Sequence, residues 1–282
     1  MQNFLNLWQS LPLKIDPEIA EIWIFSLRWY SIGYLLGFLT VFLLIYYRLR
    51  QKELPRFSHF KLTRNQATDQ LFNLFIVSAI GILVGGRLGY FLIYDWQGLI
   101  NNPIEIFLPL QNGQIQGYFG MSFHGGAIGA LLGSFFYCQI KKLNFWKLSD
   151  FILPAIPLGY FWGRMGNFFN GELFGKTTEK PWGMHFNSSD GPLRHPTQLY
   201  EAFFEGLVIF LILWPLRNKQ FLKGKFLGLF LIIYSFFRFF IEFLRQTPPE
   251  QIVFQFFTTG QILSLAILAF GLYLMYNKKP NI

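Results

Sequence analysis

Seven stretches of the chain are predominantly apolar, at about 23–46, 71–93, 120–138, 150–170, 198–216, 226–245 and 257–276. Each comes close to the ~20 residues that a helix needs to cross roughly 30 Å of hydrocarbon. Their apolar positions run on continuously instead of alternating every second residue, which excludes the strands of a membrane barrel. The pattern predicts an all-α integral membrane protein, a bundle of seven transmembrane helices. The loops between stretches are too short for a second domain, so residues 1–282 are expected to form a single polytopic membrane domain. Glycines crowd the third and fourth stretches, from Gly120 to Gly133 and from Gly159 to Gly166. Small residues let helix backbones approach closely, so these two helices are expected inside the bundle.

The polar positions between the stretches set the orientation. Six Lys or Arg lie in 47–70, three in 139–149, four in 217–225 and two in the tail, while the N-terminal segment and the alternate loops hold four in all. The positive-inside rule then puts the N-terminus outside and the C-terminus in the cytoplasm, as an odd number of spans requires.

Composition agrees. Hydrophobic residues make up 52% of the 282 and charged ones 14%, and 36 are Phe, which excludes a disordered chain and an ordinary soluble enzyme. The net charge of +9, in so apolar a chain, orients loops at an anionic membrane face, and no nucleic-acid partner is expected. A single cysteine, Cys138, excludes an internal disulfide and any multi-cysteine metal site. Residues 1–22 mix Lys14 with Asp16, Glu18 and Glu21, so no cleavable signal peptide is expected there.

Five basic residues fall inside the stretches, and all are arginine: Arg28, Arg87, Arg164, Arg238 and Arg245. At about 1.5 Å per residue, Arg87, Arg164 and Arg238 lie some 18–24 Å from the cytoplasmic ends of their helices. Arg28 and Arg245 lie near outer ends, so all five belong to the outer half. Two readings are open. Long arginines near helix ends snorkel to the headgroups; alternatively, planar guanidinium forks converge on one phosphate, which they fit bidentately. Asn170, Glu172, His195, Glu201 and Glu205 fall at the same level. Tyr234, Arg238, Glu242 and Arg245 share one helix face. Glu242 can neutralise one flanking arginine and leave the other for a ligand, or the stripe can be an internal salt-bridge ladder.

Three local patterns bear on chemistry. His124, in Ser122-Phe123-His124-Gly125-Gly126, is placed as a proton acceptor or as a hydrogen-bonded structural residue. Ser122 lacks a nucleophile elbow, which argues against serine hydrolysis. The stretch from Gly163 to Gly175, with Arg164, Asn167, Asn170 and Glu172, puts four polar groups where an apolar helix ends, more than a simple helix terminus calls for. His185, His195 and Glu201 lack a metal-binding spacing, so no metal is expected. A transporter for an anionic lipid would need broken helices and a midplane site, and an intramembrane protease would need a Ser/His or paired-Asp constellation.

The Gly163–Gly175 stretch resembles the signature of the bacterial prolipoprotein diacylglyceryl transferases. Trp29-Tyr30, Gly85 to Tyr90, Ser122 to Gly126, His195 to Glu201, Tyr234…Arg238…Glu242…Arg245 and Gly260-Gln261 are similar to further motifs of that family, in the same order. The resemblance implies a seven-span enzyme of the bacterial plasma (inner) membrane, its active site toward the periplasmic leaflet. It implies transfer of the diacylglyceryl group of phosphatidylglycerol to the lipobox cysteine in the signal peptide of a prolipoprotein, with glycerol phosphate released and no cofactor. Carried onto this sequence, it implies His124, Arg238, Tyr30 and Glu242 as catalytic. Arg164, Asn167, Glu172, Gly175, Arg245 and Arg87 are expected to bind the phospholipid. Asp150 also matches a family position, and its place at the cytoplasmic end of the fourth stretch marks it as architectural.

Overall fold

A computed structural model describes residues 2–22, 25–51, 53, 63–101, 110–111, 114–115, 121–186, 191–247, 252–253 and 257–277. The helices, in chain order, are α1 (Gln2–Gln9), α2 (Trp29–Arg50), α3 (Arg64–Tyr94), α4 (Trp96–Asn101), α5 (Phe123–Ile140) and α6 (Phe145–Ile152). They continue with α7 (Ile156–Phe169), α8 (Thr197–Tyr200), α9 (Ile209–Leu216), α10 (Phe226–Ile241) and α11 (Thr259–Tyr276). A π-helical segment, Glu201–Val208, joins α8 to α9 without a break. Short antiparallel hairpins pair β1 (Glu18–Ile22) with β2 (Phe25–Arg28), β3 (Leu110–Gln111) with β4 (Gln114–Ile115), and β5 (Ile252–Val253) with β6 (Phe257–Thr258). Trp29–Arg50, Asn65–Leu92, Thr197–Leu216 and Thr259–Tyr276 are long and apolar enough to cross a membrane, and Gly125–Ile140 and Phe226–Ile241 are shorter apolar helices. The protein is thus an α-helical integral membrane protein of several passes.

Two compact units emerge, one of residues 1–54 with 149–282, the other of 55–148. In the first, α2 packs on α7 through glycines. A Cβ on Gly37 would stand 2.7 Å from the Gly159 carbonyl oxygen, and one on Gly33 2.6 Å from that of Trp162. The two backbones are therefore closer than any larger residue permits. Buried Arg48, at the far end of α2, donates to the Phe151 carbonyl, and its Nε meets Glu53 at 2.8 Å. Glu53 also accepts from Arg217 at 3.2 Å and Asn218 at 3.0 Å. Asp150 accepts the backbone N–H groups of Gly224 and, at 3.2 Å, Phe226. It ties the turn before α10 to the end of α6, the architectural part expected for it.

In the second unit α3 begins at a capping box formed by Thr63 and Gln66. Farther along, α3 lies against α5 along Gly81, Gly85 and Gly89 on one side and Gly125 and Gly129 on the other. A Cβ on Gly85 would come within 2.8 Å of the Gly129 Cα. Ser78 and Ser134 hydrogen-bond across the same seam at 2.9 Å. Ser122 caps α5, its Oγ accepting the Gly125 N–H at 3.3 Å. Cys138 is a buried small residue of this unit.

Several sequence expectations are corrected. The first apolar stretch becomes helical at Trp29, so Arg28 lies in β2, outside the helix, and is paired with Glu18 at 2.7 Å on an exposed hairpin. The fourth stretch is not one helix: α6 and α7 are separated by a 3-10 turn, Leu153–Ala155, because Pro154 and Pro157 have no N–H to continue the α-helical ladder. α10 closes at Ile241, and Glu242 and Arg245 belong to the turn beyond it. The glycine-rich third helix is not enclosed, since Ile128, Leu131, Leu132, Phe136 and Ile140 are each at least half exposed. Its glycines serve one tight pairing with α3, and these residues of its other face are exposed.

Candidate functional site

In the first unit, polar side chains from four pieces of chain meet in the apolar interior. α7 supplies Arg164 and Asn167 from its last two turns, and the π-helical segment supplies Glu201 and Glu205. α10 supplies Arg238, and the turn after it supplies Glu242 and Arg245. Charges at that depth are destabilising unless paired, and here they alternate in sign.

Glu201 is the hub. Its oxygens lie 2.9 Å from Arg164 Nε, 2.7 Å from Arg238 Nη1 and 3.8 Å from Arg245 Nε. Glu242 lies 3.0 Å from Arg238 Nη2 and 3.5 Å from Arg245 Nη1. It does not leave one flanking arginine unpaired, as one reading of the stripe expects; it holds both, which is the salt-bridge ladder. Thr258 turns Glu242 toward them, donating to its Oε1 at 3.2 Å. The same hydroxyl accepts the Gln261 N–H in the capping box that opens α11. A Cβ on Gly260 would stand 2.6 Å from Glu242 Oε1, so the first turn of α11 fits closely around the carboxylate.

The signature stretch is wired to this hub from the other side. Arg164 Nη1 donates to Asn167 Oδ1 at 3.2 Å, and Asn167 Nδ2 donates to Glu172 Oε1 at 2.8 Å. Beyond α7 the chain turns sharply, with Gly171 at φ 66° and Leu173 at φ 60°. For a leucine this left-handed conformation is strained by about 1–3 kcal/mol. Two side chains hold it: Gln198 donates to the Glu172 carbonyl at 2.5 Å, and Thr197 to the Leu173 carbonyl at 2.9 Å. Gly175 then bridges to Arg245 in antiparallel fashion, its N–H reaching the His195 carbonyl at 2.8 Å. A Cβ on Gly175 would meet Thr197 Cγ2 at 2.8 Å and His195 Cβ at 2.9 Å.

His195 sits on this rim, with Nδ1 3.1 Å from the Tyr200 hydroxyl. Partial burial and then the charge of Lys180 lower its imidazole from the usual value, so the neutral ring is favoured there.

Of the ten residues expected at a site, Arg164, Asn167, Glu172, Gly175, Arg238, Glu242 and Arg245 therefore belong to one connected network. Tyr30 packs beside it: its backbone N–H donates to Asn170 Oδ1 at 3.3 Å and its hydroxyl lies 2.7 Å from that of Tyr34. Arg87 and His124 belong to the second unit. Arg87 is buried, with its guanidinium over the Phe91 ring at 5.0 Å. His124 lies in the first turn of α5, and its side chain is outside the described residues.

Three participants were not singled out as site residues from sequence: Glu201, Glu205 and Tyr160. A signal for the first two was present. Two carboxylates four apart in an apolar stretch share a helix face and require partners. Tyr160 carries only the weaker signal of standing four residues before Arg164.

Chemically, the cluster offers guanidinium forks whose directions are fixed in advance in surroundings of low dielectric. That arrangement suits the binding of a phosphate and the stabilisation of negative charge as it develops. These features define a class: a polytopic membrane protein whose apolar interior holds an arginine–carboxylate network.

The particular family follows from comparison. The profile described as "Prolipoprotein diacylglyceryl transferase" matches residues 17–277, and the chain belongs to this family. It is 39% identical over 290 residues to the phosphatidylglycerol–prolipoprotein diacylglyceryl transferase of Chlorobaculum tepidum, covering all of this chain and 96% of the relative. The protein of the same name in Rickettsia bellii is 42% identical over 268 residues, 93% of this chain and 95% of its own. That of Legionella pneumophila is 37% identical over 269 residues, 94% and 98%.

Proposed function

We propose that this chain transfers the diacylglyceryl group of phosphatidylglycerol to the lipobox cysteine of prolipoproteins, the first step of lipoprotein maturation. Beyond family membership, one observation carries the reading: three guanidinium groups, Arg164, Arg238 and Arg245, share the carboxylate of Glu201 within a single buried cluster.

In the reaction the cysteine sulfur forms a bond to the glyceryl carbon that bears the phosphate. The carbon–oxygen bond breaks, its electron pair leaves with glycerol phosphate, and the thiol proton passes to a base. A thiol of pKa about 8.5 is mostly protonated at neutral pH, so both the base and cationic surroundings assist. Arg164 and Arg238 hold the phosphate and stabilise the charge that it gains on leaving. Glu242 orients Arg238, Asn167 fixes Arg164, and Glu172 fixes Asn167. Gly175 keeps Arg245 at the rim, and Tyr30 and Asn167 steady the headgroup. His124 is assigned as proton acceptor, and Arg87 as a further phospholipid contact, on sequence resemblance alone. The leaving group is already activated, so no cofactor enters.

The chain is further read as seven spans in the bacterial inner membrane, its N-terminus outside and the site toward the periplasmic leaflet. The bias of Lys and Arg between alternate loops supports this. The test uses the purified full chain with phosphatidylglycerol vesicles and a peptide carrying a lipobox cysteine. A peptide mass increased by one diacylglyceryl thioether is the expected product. An unmodified peptide, with the protein folded, overturns the reading.

A further inference from the structure

Tyr160 occupies a place in the network that the reaction as described does not use. It stands on α7 one turn before Arg164, beside Glu205 of the π-helical segment and Tyr234 of α10. Its hydroxyl accepts the Arg164 Nε–H at 2.7 Å and donates to Glu205 Oε2. Its ring lies beneath the same guanidinium, 4.8 Å from ring centroid to Cζ, and the edge of the ring is braced by Tyr234 at 6.2 Å. One side chain thus grips Arg164 twice, by its oxygen and by its π face.

We propose that Tyr160, backed by Glu205, is a positioning residue that fixes the Arg164 guanidinium for its contact with the lipid phosphate. A guanidinium has two edges capable of bidentate contact, one along Nε and one across the terminal nitrogens. Tyr160 and Glu201 Oε2, the latter 2.9 Å away, both take the Nε edge. Asn167 steers Nη1 at 3.2 Å. Together these contacts fix the plane and the direction of the guanidinium. A phenol suits the task because it accepts from the cation and passes its own proton on to a carboxylate. Charge is transmitted to Arg164 without setting a second carboxylate directly on it. Glu205 is almost fully buried, and its other oxygen has no hydrogen-bond partner among the described residues and stands 3.9 Å from Arg238 Nη1. Among the described residues its carboxylate takes its hydrogen bond from Tyr160, so its part in fixing Arg164 runs through that hydroxyl.

The inference rests on the proposed transferase activity, and the experiment separates the two. Transfer to a lipobox peptide is measured over a range of phosphatidylglycerol mole fractions for wild type, Tyr160→Phe, Glu205→Gln and the double variant. Tyr160→Phe keeps the ring beneath the guanidinium and removes only the bridge. The apparent KM for lipid is expected to rise about tenfold, the equivalent of one charge-assisted hydrogen bond, with kcat lowered as well and the unfolding midpoint little changed. The double variant is expected to be no worse than Tyr160→Phe, since both substitutions cut the same bridge. An unchanged KM in a folded Tyr160→Phe overturns the assignment, and so does a penalty in the double variant equal to the product of the two single ones. Should wild type itself give no thioether, the transferase reading fails first. Should Tyr160→Phe lose its fold, Glu205→Gln alone carries the KM comparison under the same criteria.

Discussion

Glu201 and Arg238, 37 residues apart in sequence, meet at 2.7 Å in the apolar interior. The pairing joins the π-helical segment to α10, and the second oxygen of Glu201 reaches Arg164 on α7 at 2.9 Å. A π-helix places residues on a wider turn than an α-helix does and recurs at functional positions. Here it delivers both Glu201 and Glu205 to the arginines.

Removing the hub leaves three guanidiniums, those of Arg164, Arg238 and Arg245, with less compensation. Glu201→Ala is expected to destabilise the folded chain by about 3–5 kcal/mol, the usual consequence of breaking a buried ion pair from one side. Glu201→Gln keeps volume and one acceptor and is expected to lose less. Thermal unfolding in detergent ranks the two, and a wild-type midpoint in Glu201→Ala would show that the remaining carboxylates hold the arginines unaided.

Lysine keeps the charge of arginine and loses its fork. Arg164→Lys and Arg238→Lys are each expected to lower diacylglyceryl transfer by about tenfold or more. Wild-type rates in both variants would remove the bidentate phosphate contact from the mechanism.

Two glycines of the signature stretch offer a contrast. A methyl at Gly175 meets neighbouring atoms on three sides, whereas a Cβ at Gly163 has nothing within 4 Å. Gly175→Ala is expected to cost about 1–3 kcal/mol and to disturb the bridge to Arg245. Gly163→Ala, inside α7, is expected to gain up to about 1 kcal/mol from helix propensity. Unfolding midpoints decide the order, and a reversal would mean that the chain around Gly175 yields to a methyl group.

Away from this network, Glu53 makes stability depend on acid. Its burial tends to raise the carboxyl, but hydrogen bonds from Asn218 and Arg48 and the nearby guanidiniums outweigh this and hold it below the ordinary value of 4.5. A folded value below the unfolded one means that the contribution is complete above about pH 4.5 and fades as pH falls through the folded value. The unfolding midpoint is therefore expected to drop on acidification over that range. Glu53→Gln is expected to flatten the drop and to be the less stable protein at neutral pH. Equal acid sensitivity in both would assign the effect to other carboxylates.

Much of this was legible in the residues. The apolar stretches fall where helices formed, the fourth divided at Leu153–Ala155, because burying polar backbone in lipid leaves a chain of this composition few alternatives to helix. The arginines and amides of 163–175 and 238–245 stood out because a charge in an apolar run requires a partner, whatever the fold. Their role as a set was less legible. Arg28 counts with the other four in sequence, yet it belongs to an exposed hairpin and its charge is used on Glu18.

What sequence alone determined was the class, the approximate positions of the apolar helices and the inventory of charged groups. Those follow from local hydrophobicity and from spacing along the chain, which need no knowledge of neighbours. Tertiary structure decided which carboxylate faces which guanidinium. Partners such as Arg164 and Glu201 are brought together by helix packing, through close glycine contacts and a π-helical offset, and distances of about 3 Å depend on the whole of that packing. For the same reason Tyr160, an unremarked aromatic residue in an aromatic-rich chain, becomes part of the arginine site once α7 is set against the π-helical segment.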